Sequence, residues 1–266
     1  MIQEIAKKPF LYHAPQSAWI KQLEIHTLKN LIRPQDKDIL EGGCGKGVNL
    51  FALRKWRKDL DLTGFDSDYN SLPTLSINES FKLFRGIDFF VGDVLNKNLL
   101  RIYDVVFTCR CLINLKSSKS QKKALLNLWQ WVRPGGQLIL MENMTENHAY
   151  QNKLRQSLGL KSRPVPPFNL FLTEKIRKWF REVVVKDTNT SEHEYNIGNL
   201  HDLMLYVMLP LMYPKTHNSP GKWAYKHKLV EAAAKLQMEH GIGQCEHIGQ
   251  NVAILWKKKR NYHGVC

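Results

Sequence analysis

The stretch that decides the fold is an apolar run that passes directly into a glycine cluster: residues 39–47 read Ile39-Leu40-Glu41-Gly42-Gly43-Cys44-Gly45-Lys46-Gly47. The apolar pair predicts a buried strand, and the spacing of apolar residues after Val48 predicts a helix. Glycines between a strand and a helix allow unusual backbone angles and let a ligand approach the main chain closely. In an open α/β sheet, such a turn lies at the carboxyl ends of the strands, where ligands bind.

Further apolar segments place this turn in a larger sheet. Strands are predicted at 60–65, 87–91, 103–107, 137–141, 183–185 and 252–256. Residues 121–132 have helical spacing and precede Arg133-Pro134-Gly135-Gly136, which predicts a helix closed by a turn. Strands that alternate with helices are typical of a parallel sheet, and the long segment between the last two strands predicts a substrate-facing cap.

Acidic residues follow the first three predicted strands at Glu41, Asp66 and Asp93. Asp66 comes about 20 residues after the glycine loop, a position from which a carboxylate binds both hydroxyls of a ribose. A carboxylate beside a backbone N–H, as at Asp93 and Val94, matches the donor and acceptor edge of adenine. The series therefore predicts a nucleoside site at the sheet edge.

The glycine spacing excludes two common nucleotide motifs. The dinucleotide pattern G-x-G-x-x-G fails because Val48 and Leu50 stand where its third glycine is needed, so NAD and FAD are disfavoured. The phosphate-binding pattern G-x-x-x-x-G-K-[ST] does not occur in the sequence.

The composition points to a globular protein with anionic partners. The 266 residues carry a net charge of 39 − 24 = +15, which favours nucleic acid, an acidic membrane surface or phosphorylated substrates. Five widely spaced cysteines predict neither a disulfide framework nor a metal site. Because no signal-peptide core or membrane-spanning stretch is evident, we expect a cytoplasmic protein, or one peripheral at the membrane surface.

These motifs resemble those of class I S-adenosylmethionine-dependent methyltransferases. Residues 41–47 resemble the first motif, E/D-x-G-x-G-x-G; residues 64–67 are similar to the acidic second motif, and 92–94 to the adenine-contact motif. The resemblance covers residues 35–145. It implies an α/β, Rossmann-like sheet of seven strands, mostly parallel with an antiparallel last strand, and S-adenosyl-L-methionine as the cofactor.

Within this resemblance, residues 252–256 form the antiparallel last strand and 183–185 the sixth. The domains are then an N-terminal helical segment over the cofactor site (1–34), a methyltransferase core (35–187 and 249–260) and an inserted helical substrate cap (188–248). The residues predicted to bind the cofactor are Glu41, Gly43, Gly45, Asp66, Ser67, Asp93, Val94 and Arg110. An alternative for Arg110 is that it only fixes the loop after the fourth strand.

Methyl transfer from a sulfonium is a direct displacement, so the protein supplies mainly position and electrostatics. A hydroxyl acceptor also calls for a general base, most often a histidine. His148 is the first candidate because it follows the fifth predicted strand, with His13 and Glu142 behind it.

The acceptor is predicted from a second, shorter resemblance. Residues 154–160 and 164–170 are similar to a bacterial subgroup found among sugar and polysaccharide methyltransferases, which implies O-methylation of a sugar, glycan or other small acceptor, acidic or phosphorylated ones included. The first alternative is an RNA methyltransferase that uses the basic surface. The second is a protein that binds the cofactor without catalysis.

Overall fold

The computed structural model describes residues 17–73, 86–96, 101–185, 192–213, 223–241 and 247–259. Seven strands form one sheet in the order β3-β2-β1-β4-β5-β7-β6. The strands are β1 (Asp38–Gly42), β2 (Asp61–Asp66), β3 (Ile87–Val91), β4 (Tyr103–Cys109), β5 (Val132–Asn143), β6 (Glu192–Asn196) and β7 (Asn251–Lys257).

The strand directions confirm the predicted fold class. β1 pairs in parallel with β2 and β4, β2 with β3, and β4 with β5. Beside β5, β7 runs the opposite way: the N–H of Met144 donates to the carbonyl of Gln250, and the N–H of Lys258 donates to that of Gly136. The sheet is therefore mostly parallel with an antiparallel last strand.

Helices and short turns connect the strands. The helices are α1 (Ala18–Leu31), α2 (Val48–Trp56), α3 (Ser118–Trp131), α4 (Thr145–Ser157), α5 (Glu174–Trp179), α6 (Asn199–Leu203), α7 (Leu209–Met212) and α8 (Lys228–His240). Single 3₁₀ turns occur at Tyr69–Ser71, Leu112–Asn114 and Ala224–Lys226, and π-helical segments at Phe180–Val185 and Met204–Met208. Among the described helices, none combines the length and apolar character needed to cross a membrane.

The sheet is most deeply buried at its centre. The inner residues of β1 and β4, such as Leu40 and Val106, are inaccessible to solvent, as is Leu138 on β5. This is expected of parallel strands covered on both faces. α3 packs its apolar side beside them, and its first turn is capped by Ser117, whose hydroxyl accepts the N–H of Ser120.

The prediction of a sixth strand at Val183–Val185 is wrong, because these residues end a π-helical segment. Phe180 opens that segment and is fully buried, with its ring edge-on to Trp129 (5.8 Å) and Trp256 (4.9 Å). This aromatic packing continues α5, and it outweighs the β preference of the valines. The sixth strand instead lies at Glu192–Asn196, a polar segment without the apolar run used for prediction.

The predicted turn at 133–136 lies inside β5 as an irregularity. Tyr103 pairs with Val132, but Val105 pairs with Gln137, so β5 has additional residues between these pairs. Gly135 has a positive φ of 81° at this point, which glycine adopts readily. Residues 133–136 therefore do change the direction of the backbone as predicted. They form a bulge between two paired parts of β5, not a turn that follows a helix.

The chain forms two compact units whose boundaries differ from the predicted domains. The larger contains residues 28–143, 166–194 and 253–266, and the smaller contains 1–27, 144–165 and 195–252, counting in each only the residues that the structure describes. α4 thus belongs with the helices of the predicted cap. Its buried side chains explain this, since Asn147 donates to the carbonyl of Gly249 and Gln151 to that of Ile248.

Candidate functional site

The glycine loop between β1 and α2 is shaped by three residues with positive φ: Gly43 (69°), Gly45 (50°) and Gly47 (68°). A Cβ atom on Gly43 would lie 2.4 Å from Sγ of Cys111, so the loop packs directly against the segment after β4. A Cβ on Gly45 would meet nothing within 4 Å. The loop is therefore tightly packed at Gly43 and open at Gly45.

Asp66, at the end of β2, connects the glycine loop to the next turn. Its Oδ2 accepts the N–H of Gly45, and its Oδ1 accepts the N–H of Asp68, both at 3.0 Å. The side chain is half-buried, while Ser67 is exposed. Because a carboxylate has about four acceptor positions, Asp66 can also accept hydrogen bonds from two ligand hydroxyls.

Asp93 and Val94 follow β3. Oδ1 of Asp93 accepts the N–H of Leu95 at 2.8 Å, and Asp93 is half-buried. Val94 is buried, and its carbonyl accepts a hydrogen bond of 2.8 Å from Nδ2 of Asn127 on α3. A turn with a partly accessible carboxylate therefore stands beside β2, as the sequence predicts.

Glu41 lies near the end of β1, where it is almost completely buried. Its Oε1 accepts a hydrogen bond of 2.6 Å from Nδ2 of Asn49 in the first turn of α2. This bond orients the carboxylate in the interior, and a buried charge is tolerated only with such partners.

The loop after β4 contains Arg110, the only described residue other than glycine with a positive φ (55°). Its N–H donates to the carbonyl of Met141 on β5, and its carbonyl accepts a 2.9 Å bond from Nδ2 of Asn114. Strained backbone angles of this kind occur often at functional sites, where the surrounding structure must impose them.

Glu142 on β5 holds this loop. Its Oε1 accepts the hydroxyl of Thr108 (2.8 Å) and the N–H groups of Cys111 and Leu112 (3.1 Å each), while Oε2 accepts the N–H of Ile113 at 3.4 Å. These contacts occupy most of its acceptor positions. The geometry therefore favours a positioning role for Glu142 over removal of a proton from a substrate.

Burial raises the pKa of Glu142 to about 7, and the four hydrogen bonds oppose this shift only in part. A carboxyl group whose pKa is higher in the folded state stabilises the fold below its unfolded value of about 4.5, and that contribution is lost as the pH rises towards 7.

We therefore expect the free energy of unfolding to fall between pH 4.5 and pH 7, by up to about 1.4 kcal/mol per pH unit from this group. Urea unfolding across this range should show a flatter profile for Glu142→Gln than for the wild type. Glu146→Gln, an exposed change four residues away, should leave the profile unaltered. Parallel profiles for the wild type and Glu142→Gln would contradict the assignment.

The carboxylates at the strand ends lie close enough together to act on the same two cysteines. Burial raises the pKa of Cys111 well above its usual value, and four carboxylates add to the increase: those of Glu142, Asp66, Glu41 and Asp93. Burial also raises the pKa of Cys44, with Glu41 and Asp66 contributing. These carboxylates therefore produce a local negative potential in a chain whose net charge is +15.

No metal-binding group of three or more His, Cys, Asp or Glu occurs among the described residues.

The two histidine candidates are placed differently. His148 belongs to the smaller unit, on α4, and it is buried. Burial, together with the nearby charge of Arg163, lowers the pKa of His148 to about 4, and the charge of Asp202 opposes this shift in part. His148 is therefore neutral at pH 7. His13 lies outside the described residues.

Asn49 and Asn127 were missed by sequence reasoning, although both hold parts of the predicted site. Both are buried amides on helices, and each donates one hydrogen bond to a strand end or to the turn after it. In both cases the sequence shows an asparagine at a position where the helical pattern predicts a buried apolar residue. That pattern indicates a buried polar group but not its partner.

Residues 39–136 match a family model described as a methyltransferase domain. No curated protein matches the chain. Among solved structures, the chain is similar to the plantazolicin methyltransferase BpumL in complex with SAH, with 15% identity and a TM-score of 0.53 over 97% of this chain and 88% of that one.

Two further structures are similar over part of their length. An O-methyltransferase family protein from Burkholderia thailandensis has 11% identity and a TM-score of 0.52, over 92% of this chain and 58% of that one. DesVI from Streptomyces venezuelae has 18% identity and a TM-score of 0.38, over 47% of this chain and 51% of that one. The chain thus spans between half and three fifths of the length of these two proteins.

The family match covers the glycine loop and the three acidic strand ends, and the sheet has the seven strands and the antiparallel last strand that the resemblance implies. Residues 39–136 therefore match a methyltransferase domain, and the sheet has the Rossmann-like fold of such enzymes.

Proposed function

We propose that S-adenosylmethionine binds at the carboxyl ends of β1, β2 and β3. Asp66 accepts the ribose hydroxyls, while the carboxylate of Asp93 and the N–H of Val94 pair with the adenine. Gly45 provides the open backbone along which the cofactor lies, with Gly43 and Ser67 beside it. Glu41 contributes negative charge, and Arg110 holds the carboxylate of the methionine part.

The observation that carries this proposal is the convergence of Glu41, Asp66 and Asp93, all of which raise the pKa of Cys111. A negative site attracts a ligand with positive sulfonium and ammonium groups, and it repels the pyrophosphate of a dinucleotide. When bound, the cofactor supplies a methyl group already activated for displacement.

Calorimetry with S-adenosylhomocysteine and NAD tests the cofactor assignment. We expect S-adenosylhomocysteine to bind and NAD to show no heat of binding at the same concentrations. Binding of NAD alone would overturn the proposal.

For the acceptor, we propose O-methylation of a sugar, glycan or similar polyhydroxylated molecule. Support comes from the segment between α4 and α5, which contacts the loop after β4: the N–H of Leu170 donates to the carbonyl of Ile113 at 2.7 Å, and Nδ2 of Asn169 donates to Oδ1 of Asn114 at 2.9 Å. Phe168, beside them, is 54% exposed. Amide side chains can hydrogen-bond to the hydroxyl groups of a sugar, and an exposed aromatic ring can pack against its apolar face. The combination therefore suits such an acceptor.

An RNA acceptor is the alternative that a specific observation favours, because the net charge of +15 matches a polyanion. A screen with methyl-labelled cofactor against polysaccharide, total RNA and small-molecule fractions separates the two. Label in a glycan or small hydroxylated product supports the first proposal, and label in RNA supports the second. Cofactor binding without transfer to any fraction would indicate a protein that binds without catalysis.

We retain His148 as the proposed general base for a hydroxyl acceptor, with a pH dependence that its surroundings determine. With a pKa of about 4, the imidazole is as weak a base as a carboxylate, but it is neutral throughout the physiological range. His148→Ala should therefore lower turnover by roughly 10²-fold, the lower end for general-base catalysis. In the wild type, turnover should decline as the pH falls through about 4, because protonation removes the base.

Cofactor affinity and the unfolding midpoint of His148→Ala serve as controls. Cofactor affinity should match the wild type within error if the residue acts only in the transition state. The midpoint should fall because a buried ring is removed, but it must stay well above the assay temperature so that the variant is folded when turnover is measured. A folded variant with near-normal turnover would remove His148 from the mechanism and leave catalysis to positioning.

A further inference from the structure

Asn127 on α3 is completely buried, and only one of the two polar atoms of its side-chain amide has a hydrogen-bond partner in the described structure. Its Nδ2 donates to the carbonyl of Val94 at 2.8 Å, while its Oδ1 has no hydrogen-bond partner among the residues that the structure describes. Leaving a buried polar atom unpaired destabilises a protein, and an apolar residue of the same shape avoids that cost. Among the described residues, the bond to Val94 is the one contact of its amide that accounts for an asparagine here.

That bond acts on the peptide unit between Val94 and Leu95. The carbonyl of this unit accepts from Asn127, and its N–H, from Leu95, donates to Oδ1 of Asp93 at 2.8 Å. Because a peptide unit is planar, the direction of the carbonyl determines the direction of the N–H. The two hydrogen bonds also polarise each other through the shared amide. Asn127 therefore controls how the Asp93 carboxylate is held.

We propose that Asn127 is a positioning residue that sets the orientation of the Asp93 carboxylate and so makes the site selective for a 6-aminopurine. The inference rests on the proposed binding of the cofactor at this site. With Oδ1 engaged by the N–H of Leu95, Oδ2 of Asp93 remains to accept a hydrogen bond from the exocyclic amine of adenine. A purine with a carbonyl at that position offers an acceptor instead, and the carboxylate disfavours it.

The test compares S-adenosylhomocysteine with S-inosylhomocysteine, which has a carbonyl in place of the 6-amino group and a hydrogen on N1 of the purine. The wild type should bind the adenosyl ligand at least tenfold more tightly. In Asn127→Leu, which keeps the number and branching of the side-chain heavy atoms and loses the donor, affinity for the adenosyl ligand should fall by roughly tenfold, the value of one well-oriented hydrogen bond. Affinity for the inosyl ligand should change by less than twofold, so that the preference collapses.

Gln137 on β5 offers a matched control. It is also completely buried, its Nε2 donates to the carbonyl of Leu31 at 2.7 Å, and its Oε1 is likewise without a partner in the described structure. Gln137→Met should change the unfolding midpoint in a way comparable to Asn127→Leu, but it should leave the ratio of the two affinities unchanged. A general loss of stability is thereby separated from a loss of orientation.

The outcomes distinguish this inference from the proposed function. If the wild type fails to bind S-adenosylhomocysteine, the proposed function itself fails. If the wild type binds it with the expected preference and Asn127→Leu keeps that preference, only the positioning role is overturned. Asn127→Ala, which removes the amide without adding bulk, provides a second measurement of the same ratio should the leucine variant unfold.

Discussion

Replacement of Gly43 by alanine should lower the free energy of unfolding by about 2–5 kcal/mol. One part is the left-handed backbone, since Gly43 has a φ of 69° and an L-residue there costs roughly 1–2 kcal/mol. The other part is overpacking, typically about 1–3 kcal/mol, because the new Cβ would lie 2.4 Å from Sγ of Cys111. Urea unfolding of the purified variant measures the sum.

Two further variants separate these parts. Gly43→Ala combined with Cys111→Gly, which removes both the Sγ and the Cβ (2.8 Å) that the new methyl group would meet, should recover the steric part, and a double-mutant cycle detects this as coupling between the sites. Gly45→Ala has a similar backbone cost at a φ of 50° but no neighbour within 4 Å, so it should destabilise by only about 1–2 kcal/mol. Because its Cβ occupies the open side of the loop, it should instead weaken S-adenosylhomocysteine binding. Equal stability losses for Gly43→Ala and Gly45→Ala would show that contact with Cys111 does not matter.

Asp66→Ala should weaken S-adenosylhomocysteine binding by roughly 10- to 100-fold, which corresponds to about 1–3 kcal/mol. The change removes the proposed acceptor of the ribose hydroxyls. It also releases the N–H groups of Gly45 and Asp68, both of which Asp66 holds at 3.0 Å. The glycine loop therefore loses an anchor at the same time as the ligand loses a partner.

Asp68→Ala is the matched control for charge and position. Asp68 is exposed, and it caps the 3₁₀ turn at Tyr69–Ser71 through the N–H of Asn70. Removing it also deletes one negative charge near the loop, but we expect less than a threefold change in affinity. Calorimetry on both variants decides the matter, and unchanged binding by Asp66→Ala would refute its role at the ribose.

The sheet was largely predictable because its central strands are buried on both faces. Apolar runs such as those at Ile39 and Val105 are required by that burial, so strands β1 to β5 and β7 are evident from the residue pattern. β6 was not predictable in this way. It is a polar strand whose Glu192 and Glu194 pair with Arg177 on α5, and ion pairs between distant segments leave no periodic signal in the sequence.

For the site, the sequence by itself determined which chemical groups stand at the strand ends. Parallel strands bring their carboxyl ends to one edge, so Glu41, Asp66 and Asp93 had to converge once the strands were recognised. Only the tertiary structure decided how these groups are held. The bonds from Asn49 to Glu41, from Asn127 to Val94 and from the β4 loop to Glu142 join residues whose proximity depends on helix and loop packing. Residue type sets which hydrogen bonds a side chain can make, but packing selects the partner, and packing has no local signature.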